Sequence, residues 1–182
     1  MAEEVLENPV TGERLQILES TPERFKVKYS LAPHGEIPGA HFHPGKEQQV
    51  TVLSGEMHLL IAGGYRVVRA GESALVPLGA HHFQWNPCEA EVVAIEEVFP
   101  AGRLHEFFSV LFRLARDGRT DARGLPPPLL ASVLFAEFRD TIRQASFGAR
   151  LTLDALVPLA TVLGYRRLLE RYLGSPVGTS SA

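Results

Sequence analysis

With 182 residues, of which 45% are hydrophobic and 21% charged, the chain has the composition of an ordinary globular protein and can bury one sizeable core plus an appendage. Eighteen basic residues scattered among 21 acids give a net charge of −3, which leaves no basic stripe for a phosphate backbone and argues against nucleic acid as a partner. Cys88 is the only cysteine, so no intrachain disulfide can form, and with no basic neighbour it reads as structural or incidental.

The start, Met1 to Asn8, is acidic and lacks the basic and apolar segments of a secretory signal, so a cytoplasmic location is expected. Asn8-Pro9-Val10-Thr11-Gly12 is a turn signal, followed by a first short strand over Arg14 to Leu18. From Phe25 the pattern alternates, with Phe25, Val27, Tyr29 and Leu31 on one face and Lys26, Lys28 and Ser30 on the other, as in a half-buried strand. Further strands are predicted near 49–53, 57–62, 66–69, 73–76, 82–86 and 91–99, most of them separated by glycine pairs or Pro-Gly turns. Many short, punctuated strands point to an antiparallel jelly roll with room for a ligand in its mouth.

After Pro100-Ala101-Gly102 the period becomes helical. Leu104, Phe107, Phe108, Leu111, Phe112 and Ala115 share one face, and Asp117-Gly118 ends the segment. The stiff connector Gly124-Leu125-Pro126-Pro127-Pro128 can start the next helix, which carries Leu130, Leu134, Phe138 and Ile142 at i+4 spacing. A third helix is predicted over 151–163, kinked by Pro158, and a fourth over 165–173. The apolar runs fall far short of a membrane span and are interrupted by Glu137, Arg139 and Asp154, so membrane contact is not expected. The division read from these signals is 1–100 for the barrel, 101–174 for a helical extension packed on the barrel or on a dimer partner, and 175–182 for a disordered tail. The apolar helices and the open sheet edges of a small jelly roll lead to the expectation of a homodimer.

Two segments carry the chemistry. Gly35 is followed after five residues by His41-Phe42-His43, then Glu47-Gln48 and Gly55; later comes Gly71-x5-Pro77-x-Gly79-x2-His82-x3-Asn86. Residues i and i+2 of a strand face the same way, so the His41 and His43 imidazoles can converge on one point. Pro77 and Gly79 form a turn that starts a new strand at His82, which makes His82 the natural third histidine. Three imidazoles and one oxygen donor suit Fe, Mn, Ni, Cu, Co or Zn with positions left for water or a small-molecule ligand.

This pairing resembles the two motifs of the cupin superfamily, G-x5-H-x-H-x3,4-E-x6-G and G-x5-P-x-G-x2-H-x3-N. The resemblance covers about residues 24 to 98 and implies a mainly β, RmlC-like, cupin-2-like jelly-roll barrel (a double-stranded β-helix) followed here by the α-helical extension. It also places His41, His43 and His82 at histidine ligand positions. The acid position departs from the pattern: counting back six from Gly55 lands on Gln48, whereas counting three on from His43 lands on Glu47. Gln48 shares its face with Val50 and Val52, so Gln48 is read as the inward ligand, with Glu47 as the alternative. A neutral amide oxygen leaves a divalent ion less compensated and favours an anionic chelating partner.

Tyr29 and Gln84, the latter in register with His82, are read as pocket-lining residues that contact the ligand. Phe83 and Trp85 have the opposite parity and are expected to pack between layers or under the helices. Asn86 is expected to stabilise a turn. His34, His58, His81 and His105 have no spacing argument as ligands. Apart from Glu47 no acid is placed beside the histidines by pattern, and no catalytic residue is assigned. The resemblance implies a metal-binding protein, either a metal-dependent enzyme, dioxygenase-like or of other small-molecule chemistry, acting on a small anionic oxygen-chelating metabolite, or a non-catalytic binding or sensing module.

Overall fold

The computed structural model describes residues 4–37 and 39–173. The tail expected to be disordered lies outside them. Two antiparallel sheets face each other. The six-stranded sheet has the order β1-β2-β3-β10-β5-β8, formed by Val5–Glu7, Arg14–Ser20, Phe25–Leu31, Val92–Phe99, Glu47–Ser54 and Ser73–Val76. The five-stranded sheet has the order β11-β4-β9-β6-β7, formed by Arg143–Gln144, His41–Phe42, His82–Trp85, Glu56–Ile61 and Gly64–Arg69. This is a jelly-roll barrel, as the strand punctuation predicts.

The period-2 patterns account for the core. Phe25, Val27, Tyr29 and Leu31 of β3, Val50 and Val52 of β5, and Val92, Ala94 and Val98 of β10 are buried on one inner face, opposed by Met57 and Leu59 of β6. At the second motif's turn, Gly79 takes φ +66, a region that favours glycine, and lets the chain reverse into β9.

Beyond the barrel run α1 (Leu104–Arg116), α2 (Pro128–Glu137), α3 (Phe147–Val162) and α4 (Tyr165–Glu170). The amphipathic face of α1 buries Leu104, Phe107, Leu111 and Phe112 as its spacing requires, and α2 starts on proline. Several helix limits differ from expectation. The i+4 series Leu130, Leu134, Phe138, Ile142 is not one helix: α2 stops at Glu137 with Phe138 as its cap, the chain turns through 139–142, and Ile142 leads into β11. Phe138 and Ile142 are both buried, so the hydrophobic period persists although the backbone leaves the helix. The last helix likewise stops at Glu170, three residues before the expected end, while Tyr172 still packs into the core. The third starts earlier, at Phe147, because Ser146 caps it by accepting a hydrogen bond from the Ala149 N–H.

The extension is tied into the barrel by specific bonds. β11 pairs antiparallel with β4, Gln144 opposite His41, and the Ala145 N–H donates to the Ala40 carbonyl. Lys46 donates to the Asp140 carbonyl, and its stem lies against Gly102, at φ +58, where a Cβ would come within 2.9 Å of Nζ. Against this, α3 shows solvent a row of apolar side chains that includes Phe147, Leu151, Leu159 and Val162. Among the described residues no helix is long and apolar enough to cross a membrane.

Candidate metal centre and its cavity

His41 and His82 stand directly opposite each other on β4 and β9, and His43 follows at the end of the short β4. One ring nitrogen of each lies within 4.8 Å of the others', and the ring centroids are 4.4–5.4 Å apart. Their Nδ1 atoms all face backbone carbonyls: His41 that of Gly39 at 3.2 Å, His43 that of Thr141 at 2.9 Å, and His82 that of Ala80 at 3.1 Å. A carbonyl only accepts, so each Nδ1 carries the proton and each Nε2 keeps its lone pair, as a metal-ligating histidine requires.

His82 Nε2 is buried and has no hydrogen-bond partner. Burial first, and then a neighbouring imidazole, His81 in the case of His82, hold the three neutral: the pKa of His43 falls to about 3, and those of His41 and His82 are lowered as well. Neutral, fixed by their carbonyls and convergent, the three nitrogens fit a divalent transition metal. The carbonyl that fixes His43 belongs to the helical extension, a contribution the histidine spacing could not reveal.

Of the two residues competing for the acid position, Gln48 points inward and is 2% exposed, whereas Glu47 is exposed. Gln48 Oε1 is buried without a partner, in the wall of a cavity it shares with His41 and His82. Tyr29 and Gln84 line the same cavity. Phe83 and Trp85 are half-buried and stack on each other, with Tyr65 and His58 beside Trp85. Asn86 Nδ2 donates among the Leu31, Ala32 and Ala90 carbonyls while its Oδ1 accepts from the Cys88 N–H, pinning the turn after β9. His81 is exposed against Phe42, and His34 and His105 pair with Glu89 and Glu4 away from the cluster.

The structure adds two residues that no sequence pattern placed. The cavity does hold acids, Glu13 and Glu96, which are 3% and 7% exposed. Glu96 lies on β10 opposite Val27 and Val50, and its Oε2 accepts from Gln84 Nε2 at 3.2 Å. Burial first, and for Glu13 also the neighbouring Glu96, pushes the pKa values up to about 8 for Glu13 and about 7 for Glu96. Such carboxyls hold a proton near neutrality and can donate or accept one. Tyr29, raised well above the ordinary phenol by burial and by the two acids, stays neutral. The rest of the wall is apolar and comes from the extension, chiefly Phe107, Phe108 and Leu111 of α1 and Phe135 of α2.

Residues 27–96 match the cupin domain family model. Among curated proteins, oxalate oxidase GF-2.8 of Triticum aestivum is 38% identical over 72 residues, covering 35% of this chain and 32% of the relative. Germin-like protein 3-7 of Oryza sativa subsp. japonica is 38% identical over 73 residues, covering 37% and 31%. The matching segment thus spans about a third of the length of these relatives. Among solved structures, an RmlC-like cupin from Shewanella frigidimarina is 27% identical over 54% of this chain and 85% of its own, at a TM-score of 0.47. A sugar phosphate isomerase of the cupin superfamily from Silicibacter pomeroyi is 17% identical over 54% and 71%, at 0.49. The family match contains the three histidines, Gln48, Tyr29, Gln84 and Glu96; Glu13 and the helical wall lie outside it.

Proposed function

Since this chain belongs to the cupin superfamily, we propose that His41, His43 and His82 hold a divalent transition metal with Gln48 as an oxygen donor, and that the protein is a metal-dependent enzyme acting on a small anionic metabolite that chelates through oxygen. The observation that carries this reading is the set of three Nδ1–carbonyl contacts, which present three unprotonated nitrogens to one point beside an unpartnered amide oxygen. When bound, the metal supplies Lewis acidity and, if redox-active, access to dioxygen chemistry.

The residues of the chain do the rest. Gln48, being neutral, leaves a net positive centre that attracts an anionic head. The α1 wall gives the cavity an apolar side, which strengthens polar interactions beside it. Glu13 and Glu96 can hold or take a proton within the same enclosure. The curated relatives named as oxalate oxidases act on a small chelating dicarboxylate, the class to which the proposed head group belongs.

Elemental analysis of protein purified without a metal-affinity tag tests the reading. Near-stoichiometric metal is expected, abolished by His43→Ala and by His82→Ala and nearly intact in Glu47→Ala. Loss in Glu47→Ala with retention in Gln48→Ala would transfer the oxygen-donor role to Glu47. Protein that is metal-free and refuses added metal would leave the non-catalytic binding module as the function.

A further inference from the structure

The cavity has a second polar pole apart from the histidines. Glu13, entering from the turn before β2, and Glu96, from the middle of β10, are both buried in it, together with Tyr29 of β3 and Gln84 of β9. Two polar atoms of this group are fully buried and unpartnered: the Tyr29 hydroxyl and Gln84 Oε1. Gln84 lies beside the hydroxyl, and its Nε2 donates to Glu96 at 3.2 Å. Atoms of this kind are ordinarily satisfied in a folded protein, and two of them converging on one cavity beside two buried carboxyls mark a place where a partner belongs.

The same four side chains define the partner's chemistry. Four carboxyl oxygens and the Gln84 carbonyl accept, against the Tyr29 hydroxyl and whatever proton the pair retains. The other titratable groups facing the cavity are Tyr29, His41 and His82; no lysine or arginine among the described residues lines it. A neutral hydroxyl would satisfy one or two acceptors and leave the two acids facing each other. A protonated amine supplies three donors and the missing positive charge together.

We propose that Glu13 and Glu96, with Tyr29 and Gln84, form a recognition site for a protonated amine on the cavity's ligand. The ligand class is then a small molecule with an ammonium group at this pole and, where the three histidines also hold a metal, chelating oxygens at the opposite pole. Binding places the ammonium N–H groups on the carboxylates, and the proton the pair had kept leaves to solvent. The site does not depend on a metal, and its test is run on the full-length protein both as purified and after treatment with a chelator, so that failure of one reading is distinguishable from failure of the other.

Methylamine, propylamine and benzylamine are compared with methanol, propanol and benzyl alcohol, the paired series ensuring that size does not decide the outcome. Melting temperature and titration calorimetry, the latter in two buffers of different ionisation enthalpy, provide the readouts. At least one amine is expected to raise the melting temperature and release a proton, with and without chelator, while its alcohol does neither. Glu13→Gln and Glu96→Gln are each expected to weaken that amine about tenfold or more, the size of one lost charge-assisted hydrogen bond. Infrared spectra of the wild-type protein give a second measure that needs no variant: the carbonyl stretch of a buried protonated carboxyl should disappear on adding the amine and persist with the alcohol. Equal stabilisation by amine and alcohol, an unchanged carboxyl stretch, or no response to any of the three amines would overturn the proposal and leave the pole to bound water.

Discussion

Glu13 and Glu96 impose a pH dependence that reaches above neutrality, where the buried histidines no longer contribute one. Their folded pKa values, about 8 and about 7, lie above the ordinary 4.5, so between those limits the unfolded chain sheds protons that the folded chain retains. The folded state therefore loses stability as pH rises through that window, by on the order of a few kcal/mol once both carboxyls must ionise. Melting temperature followed from about pH 5 to about pH 9 should fall in the wild type relative to the Glu13→Gln, Glu96→Gln double variant, which shares the contribution of the buried histidines and becomes the more stable protein at the alkaline end. A wild-type profile parallel to the variant's would mean that water or a counterion already compensates the pair. The sequence could not place these acids. On β10, Val92, Ala94, Glu96 and Val98 alternate with Val93, Ile95, Glu97 and Phe99, so either face carries one glutamate among apolar residues. The partners decide: Glu97 is met by Lys26 at 3.1 Å and Arg24 at 3.6 Å, and Glu96 by two valines and Gln84. The histidines were legible for the opposite reason, because a ligand pair at i, i+2 and a third residue behind a Pro-Gly turn are local patterns.

Among the elements, the turn after β9 depends on one side chain. Asn86 is 1% exposed and serves three carbonyls and one N–H, joining the end of β3 to the approach to β10. Replacing it by alanine leaves buried carbonyls without donors and should cost roughly 2–4 kcal/mol. Denaturant unfolding measures the loss, while metal content, if the turn acts only on stability, stays at the wild-type level. A cost below about half a kcal/mol would show that water replaces the amide. Alternation revealed the longer strands, and the expected role of Asn86 followed from its place as the last residue of the second motif, although the strand read over 82–86 ends at Trp85. β4 and β11 were harder to read, since two residues cannot display a period. β11 is formed by its partner, Gln144 lying opposite His41, and that long-range pairing is also what ends the apparent continuity of α2 into Ile142.

At the scale of the whole molecule, the helices and the barrel share one hydrophobic core: Phe107, Leu111 and Phe138 are buried in the same cluster as Phe25, Tyr29 and Leu59. The family match ends at residue 96, yet the site is completed by the helical extension. Thr141 fixes the His43 tautomer, β11 covers the hydrogen-bonding edge of β4, and α1 and α2 close the cavity. Ending the chain after Gly102 would uncover that edge and the apolar wall at once. An open edge beside an exposed apolar surface is a template for pairing with other chains. The truncated barrel should therefore aggregate, visible as heterogeneous high-mass material by size-exclusion chromatography with light scattering, and any soluble fraction should bind metal more weakly because His43 has lost the carbonyl that holds its proton on Nδ1. A monodisperse truncated barrel with unaltered metal content would instead make the helices an independent domain, and the enclosure of the cavity a matter of docking rather than of folding.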